Sequence, residues 1–411
     1  MIAGNLPEGR PSGQGNSYLT MPLSTNASQT LNSAEGHPQS PASKLLIVGA
    51  GFSGAVVARE LAEAGIASKV IDQRPHIAGN CHTERDDETG IMVHQYGPHI
   101  FNTDLEDVWK YVNRFADFGP FINRVKATTS NGVFSLPINL STLNQFFGKK
   151  MTPAEAKVFV EGLGDKTISD PQNFEEQALS MLGPELYETF FKGYTRKQWG
   201  EDPRDLPASV FKRLPIRFDT NDNYYNKKYQ GIPREGYTEL IRAILDHPLI
   251  ELQLSTSYQK TMSADHVHTV YTGPIDRYFN CSEGRLGYRT VFWESETLSG
   301  DAQGVACMNY PDPDIPWTRK IEHKHFAPWE SHPQTVLSTE FSKETGEQDI
   351  PYYPKRLARD KEILARYQAL AGQEKNVTFL GRLGTYRYLD MDLSIAEALA
   401  AAENLKRKPL I

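Results

Sequence analysis

The sequence predicts an α/β protein: a discontinuous Rossmann-type dinucleotide-binding domain with a helical insertion domain and an antiparallel β-sheet domain. Three observations carry this. A short apolar run, Leu45-Leu46-Ile47-Val48, meets the series Gly49-Ala50-Gly51-Phe52-Ser53-Gly54 and then an alanine-rich helical stretch. Helical patterning dominates from about Leu140 to Phe211, and strand-like alternation with turn signals from Gly284 to Tyr353. A last strand-like run, Val377-Thr378-Phe379-Leu380, precedes an alanine-rich helix over Leu393 to Leu405, so the first domain closes only at the C-terminus.

The elements are justified in chain order. Residues 1–43 carry one arginine, no lysine and no Phe, Trp or Val, and cannot bury enough apolar surface to offset their ordering entropy. A disordered N-terminal extension is expected there, with Met21 an alternative start. Leu45 to Val48 has the continuous apolar form of a parallel strand buried on both faces. The helix after it closes at Gly65, and Lys69-Val70-Ile71-Asp72 is a second strand ending in an acid. Gly236 to Leu245 reads as a helix. Ile250 to Leu254 and Thr269 to Thr272 read as strands.

Composition narrows the function. Lys+Arg 44 against Asp+Glu 51 gives a net charge of −7, which excludes a general nucleic-acid binder but leaves room for an anionic small ligand held by local arginines. Cys81, Cys281 and Cys307 form neither a disulfide framework nor a zinc pattern, which suits a reducing compartment. No apolar run approaches the roughly 18 residues of a membrane span, and without a basic-then-apolar order near the N-terminus no secretory signal is expected. A cytoplasmic protein is expected. His323 and His325 sit two apart in an expected strand without a ligand set, so no metal is expected.

Each glycine of the G-x-G-x-x-G series has a task. Gly49 permits the tight turn, Gly51 lets backbone approach a pyrophosphate, and Gly54 allows close helix–strand contact. The helix start offers free N–H groups to phosphate. Asp72, 23 positions after Gly49, would accept hydrogen bonds from ribose hydroxyls. The fingerprint leaves NAD and FAD both open. Ile77-Ala78-Gly79-Asn80-Cys81 and Gly97-Pro98-His99-Ile100-Phe101 supply further turns. Ahead of the last helix, Ser394 with Glu397 makes a capping-box pattern, and two readings stand: an ordinary cap, or a helix start aimed at a flavin.

Several motifs together resemble UDP-galactopyranose mutase of the prokaryotic type: the glycine fingerprint, Gly97-Pro98-His99-Ile100-Phe101, Gly193-Tyr194-Thr195-Arg196-Lys197-Gln198-Trp199-Gly200, Lys212-Arg213-Leu214-Pro215, Thr318-Arg319-Lys320-Ile321-Glu322-His323-Lys324-His325-Phe326, and Gly381-Arg382-Leu383-Gly384-Thr385-Tyr386-Arg387-Tyr388-Leu389-Asp390-Met391-Asp392. They run in order from Lys44 to about Lys406. Ala78-Gly79-Asn80 departs from the family, which more often shows two glycines there.

The resemblance implies an FAD enzyme, active with the flavin reduced, that interconverts UDP-galactopyranose and UDP-galactofuranose without net redox change. The implied mechanism attaches the sugar to flavin N5 while UDP is away, opens its ring, and recloses it through a different hydroxyl. Arg213 and Arg319 are implied to hold the diphosphate and to stabilise the charge developing on it. Trp199 is implied to ride a mobile loop, running to about Ser209, that closes over the nucleotide. Phe190 and Tyr194 match the positions that stack uracil; Tyr224, Tyr353 and Tyr388 those that reach the phosphates; Asn309 and Asp390 polar groups near sugar or flavin.

His99 matches a histidine beside the flavin and is the candidate for proton transfer. The implied cofactor contacts are Gly49, Gly51, Phe52, Ser53, Gly54, Asp72, Gln73, Asn80, His99, Arg382, Tyr388, Asp390 and Met391. The expected division is an FAD-binding domain over 44–124, 236–282 and 372–406, a helical domain with the substrate loop over 139–212, and a sheet domain over 125–138, 213–235 and 283–371. A reductant and a homodimer are family expectations. The alternatives are an FAD-dependent amine oxidase-like oxidoreductase, which shares the fingerprint, and a non-catalytic binder of flavin or sugar nucleotide.

Overall fold

The computed structural model describes residues 45–211 and 216–408. The extension expected at 1–43, and Arg213 with its neighbours at 212–215, lie outside the described residues.

The Leu45–Val48 strand sits at the centre of a five-stranded parallel sheet whose order is Ile250–Gln253, Ser68–Ile71, Leu45–Val48, His268–Tyr271, Val377–Phe379. Strands far apart in sequence thus lie side by side, with Leu45 opposite both Ser68 and His268. All four central residues are buried because both sheet faces are covered. Leu45 and Ile47 pack with Val56 and Leu61 of the Phe52–Glu63 helix and with Ile395 and Ala398 of the Met391–Lys406 helix. Leu46 and Val48 pack with Ile71, Tyr271 and Tyr278 on the other face. The C-terminal helix is also tied to the first by Lys406 Nζ and Glu60 Oε2 at 3.0 Å.

A seven-stranded sheet forms the second layer, in the order Tyr353–Pro354, Tyr288–Ser299, Gln334–Glu344, Arg319–Glu322, Cys307–Asn309, Val125–Thr129, Gly132–Leu136. It is antiparallel except where Cys307–Asn309 runs parallel to Val125–Thr129. Between 140 and 199 the chain is helical. Side chains at Asn139, Thr152 and Asn173 cap the Leu140–Phe147, Pro153–Leu163 and Phe174–Tyr187 helices, each accepting a backbone N–H in the first turn. A π-turn, Glu188–Lys192, leads into the Gly193–Trp199 helix.

One local expectation is corrected, and of the two readings open at the last helix the capping box drops out. His323 lies in a tight helical turn, His323–Phe326, and not in a strand. Its ring serves tertiary contacts there: Nδ1 accepts the His94 backbone N–H at 3.3 Å, and Nε2 meets Ser338 Oγ at 2.9 Å. The last helix starts at Met391, ahead of Ser394, whose N–H already bonds to the Asp390 carbonyl. Ser394 and Glu397 are therefore interior positions, and the helix start has no side-chain cap. The turn also brings His325 Nε2 within 3.0 Å of Asp301 and 3.3 Å of Glu322, a cluster invisible in local spacing. Glu322 there already accepts backbone N–H groups from Ala302, Gln303 and Gly304.

Candidate active site

A cavity opens at the carboxyl ends of Leu45–Val48 and His268–Tyr271, where the strand order reverses. Open α/β sheets bind ligands at that crevice. Gly49, Gly51, Phe52, Ser53, Asp72, Gln73, Asn80, His99, Arg382 and Met391 line it. Gly54 lies beneath: a Cβ there would sit 1.9 Å from the Gly49 carbonyl oxygen. Gly49 itself has φ +109, and a Cβ on it would meet Thr272 Oγ1 at 2.0 Å. The Phe52–Glu63 helix has no side-chain cap, so its first N–H groups face the cavity unmasked.

Asp72 is held in place by its own neighbours. Oδ2 accepts the Ala50 N–H at 2.8 Å and Oδ1 the Arg74 N–H at 2.9 Å. Each oxygen keeps a lone pair for a ribose hydroxyl. Arg74, also on the wall, gives Nη2 to Asn80 Oδ1 at 2.7 Å and lies over Tyr96, while its buried Nη1 has no partner. An orphaned guanidinium donor beside an uncapped helix start fits a pyrophosphate. At the far wall stand Met391 and Ser394, from the uncapped start of the last helix. The residues present therefore fit a dinucleotide.

Arg319 opens the Arg319–Glu322 strand, directly across from Glu340 and, on its other side, Asn309. Nη2 donates to Glu340 Oε2 at 2.6 Å, and Glu340, fully buried, accepts Thr318 Oγ1 at 2.7 Å through its other oxygen. Burial works against the Arg319 charge, but the Glu340 carboxylate beside it outweighs that and holds the guanidinium firmly protonated. Its Nε is buried without a partner. One end of the group is clamped and the other is free to bind.

Tyrosines surround this cation. Burial pushes the phenols of Tyr194, Tyr224 and Tyr353 up, Tyr353 to about 12, with Arg319 partly offsetting the shift in each. They are neutral donors at ordinary pH. Tyr353 and Tyr388 stack at 6.0 Å, with the Arg382 guanidinium 5.6 and 5.1 Å from their ring centres. His99 gives Nδ1–H to the Gly97 carbonyl at 2.8 Å. Desolvation, then Arg382 and Arg319, push its pKa down to about 4 against that bond. The ring is thus neutral, with Nε2 presenting a lone pair.

The fold connects the cofactor wall to the Arg319 cluster through His99 and Arg382. Asp390 is the N-cap position of the last helix. Phe190 stands apart, 4% exposed, edge-on to Phe134 at 5.3 Å and near Phe146 at 5.4 Å inside the helical core. Trp199 does not lie in a loop: it is the last residue of its helix, closed by Gly200 at φ +65. The stretch after it is not all solvent-facing, since Pro203, Leu206 and Phe211 are buried. Sequence reasoning does not reach Glu340 or Thr272, whereas Arg74 stands out there by its position, two after Asp72.

The family model described as UDP-galactopyranose mutase matches residues 189–388, and an NAD(P)-binding Rossmann-like domain matches 47–115. A probable UDP-galactopyranose mutase of Klebsiella pneumoniae is 55% identical over 87% of this chain and 94% of its own. A dTDP-fucopyranose mutase of Escherichia coli is 50% identical over 88% and 97%. The crystal structure of a reduced UDP-galactopyranose mutase superposes with a TM-score of 0.69 at 15% identity, covering 88% of this chain and 95% of that one, which shows a shared fold. These matches do not favour the amine oxidase-like alternative. The chain belongs to the UDP-galactopyranose mutase family of isomerases.

Proposed function

We propose that this protein interconverts UDP-galactopyranose and UDP-galactofuranose, with FAD in the cavity of the parallel sheet and the flavin reduced. The observation that carries the reading is Arg319: a guanidinium clamped at one end by a buried carboxylate, free at the other, among neutral tyrosines beside the dinucleotide cavity. Reduced FAD supplies a nucleophile, its N5, for the anomeric carbon, which lets the bond to UDP break and re-form without net oxidation.

The chain's own residues do the rest. Arg319 and Arg213 hold the diphosphate and take up the charge that grows on it as the sugar bond breaks. Tyr224, Tyr353 and Tyr388 donate to phosphate oxygens, Tyr194 shapes the uracil slot with Phe190 backing it from the helical core, and Asn309 and Asp390 orient the sugar. His99, neutral, offers Nε2 as proton acceptor for a sugar hydroxyl. Trp199, at a helix end, helps retain UDP and exclude water while it is detached. A reductant for the flavin, a homodimeric assembly and the three-domain division given above belong to the same proposal.

The test is chromatography of UDP-galactofuranose incubated with purified holoenzyme, with and without dithionite. Conversion to UDP-galactopyranose over many turnovers per reduction is expected only after reduction. Stoichiometric consumption of reductant, or no conversion, would overturn the reading. The 50% identity to a dTDP-fucopyranose mutase favours running dTDP-fucopyranose alongside, to fix the nucleotide and sugar preference.

A further inference from the structure

The helix that carries Tyr194 and Trp199 holds two cations that no role above uses: Arg196, which pairs with Asp202 at 2.6 Å, and Lys197. Lys197 Nζ donates to three main-chain carbonyls, those of Tyr310, Asp312 and Ile315, at 2.5, 2.9 and 2.9 Å. An ammonium has three N–H groups, and all three are spent on one loop. The Asp312 carboxylate is engaged elsewhere, Oδ2 accepting the Ser130 N–H at 2.9 Å. Burial pushes the Lys197 pKa down to about 8, with Asp312 opposing. A desolvated ammonium facing only carbonyls is an expensive fastener, which needs a geometric reason.

The loop it fastens supplies one. It leaves the Cys307–Asn309 strand at Asn309 and returns at Thr318 into Arg319–Glu322, with Tyr310 N–H closing onto the Thr318 carbonyl at 2.9 Å. One turn before Lys197 on the same helix face, a Cβ on Gly193 would meet the Pro311 carbonyl oxygen at 2.2 Å. Two positions on one helix face thus press on one loop.

We propose that Lys197 is a positioning residue: by fastening the 310–315 loop to the Gly193–Trp199 helix, it sets the spacing between the base end of the nucleotide site at Tyr194 and the diphosphate end at Arg319. This rests on the mutase reading. Lys197 acts through the loop and touches neither nucleotide nor flavin. A second tie keeps the helix seated without it, since Arg289 donates to the Lys197 and Gln198 carbonyls at 3.1 and 3.0 Å.

The test is titration of UDP and of uridine into oxidised holoenzyme, wild type and Lys197→Met, by calorimetry. UDP spans both ends of the site and uridine only one. The Kd for UDP is expected to rise about tenfold or more while that for uridine stays within about twofold, with the flavin absorbance spectrum unchanged. An unchanged UDP affinity, or equal losses for both ligands, would overturn the inference alone. Failure of wild-type holoenzyme to bind UDP would overturn the mutase reading with it. Should Lys197→Met not yield holoenzyme, Lys197→Gln, which keeps two N–H donors without the charge, is measured against the same outcomes.

Discussion

A half-buried guanidinium is stable only if something answers its charge, and at Arg319 the answer is one-sided. Glu340 takes a single arm at 2.6 Å, and Thr318 fills the other carboxylate oxygen, so the remaining donors are left for a ligand. Alanine at 319 is a poor probe, because it strands a fully buried carboxylate, which costs about 3–5 kcal/mol. Lysine is better. Arg319→Lys keeps a charge for Glu340 but loses the planar fork that grips two phosphate oxygens at once. Turnover is therefore expected to fall by about tenfold or more while flavin content stays at the wild-type level. Steady-state rates together with the flavin-to-protein absorbance ratio check this. Wild-type turnover in Arg319→Lys would remove the argument that bidentate binding stabilises the leaving group.

Among elements, the pairing of the first strand with the first helix decides whether the cofactor can bind. Gly54 leaves no room for even a methyl group: the obstructing atom is a backbone carbonyl at 1.9 Å, which cannot swing aside as a flexible side chain could. In Gly54→Ala the helix must part from the strand, and its N-terminal N–H groups leave the pyrophosphate position. The expected outcome is protein that elutes from gel filtration with most of its flavin lost; full retention would sink the argument. This element was legible in the sequence because its signals are local: apolar run, glycines and acid all fall between Leu45 and Asp72. The start of the last helix stays open between two readings in the sequence for the opposite reason. Ser394 and Glu397 have the spacing of a cap, but Glu397 pairs with Arg387, and that partner shows only in the fold. The charged, proline-containing stretch after Trp199 suggests a loop, although Gly200, in the left-handed conformation that commonly ends helices, marks a helix end there. Glu340 was illegible: one acid in an alternating strand becomes a clamp only through its register with Arg319.

Over the whole molecule, five desolvated histidines on distant parts of the fold share one protonation requirement. His94 Nδ1 accepts the His99 backbone N–H at 3.2 Å, and His323 Nδ1 accepts that of His94 at 3.3 Å, so both nitrogens need their lone pairs. Local sequence gave no hint of this, because the three residues meet only when the Met92–His94 strand lies against the His323–Phe326 turn. Desolvation pushes His94 well below the ordinary range, His323 to about 3, and His82, His99 and His268 each to about 4. In the unfolded chain all five take up protons near pH ~6.5, while the folded chain resists until much lower pH. Between those limits the unfolded state binds more protons, so stability is fully present above pH ~6.5 and falls as pH drops toward about 4. The midpoint temperature of unfolding is accordingly expected to decline between about pH 7 and about pH 5, ahead of the ordinary carboxylate range. His323→Gln, which retains an acceptor and a donor but does not titrate, should flatten part of that slope. A midpoint unchanged across this window, measured on wild-type holoenzyme at constant ionic strength, would show that the buried imidazoles do not govern acid stability.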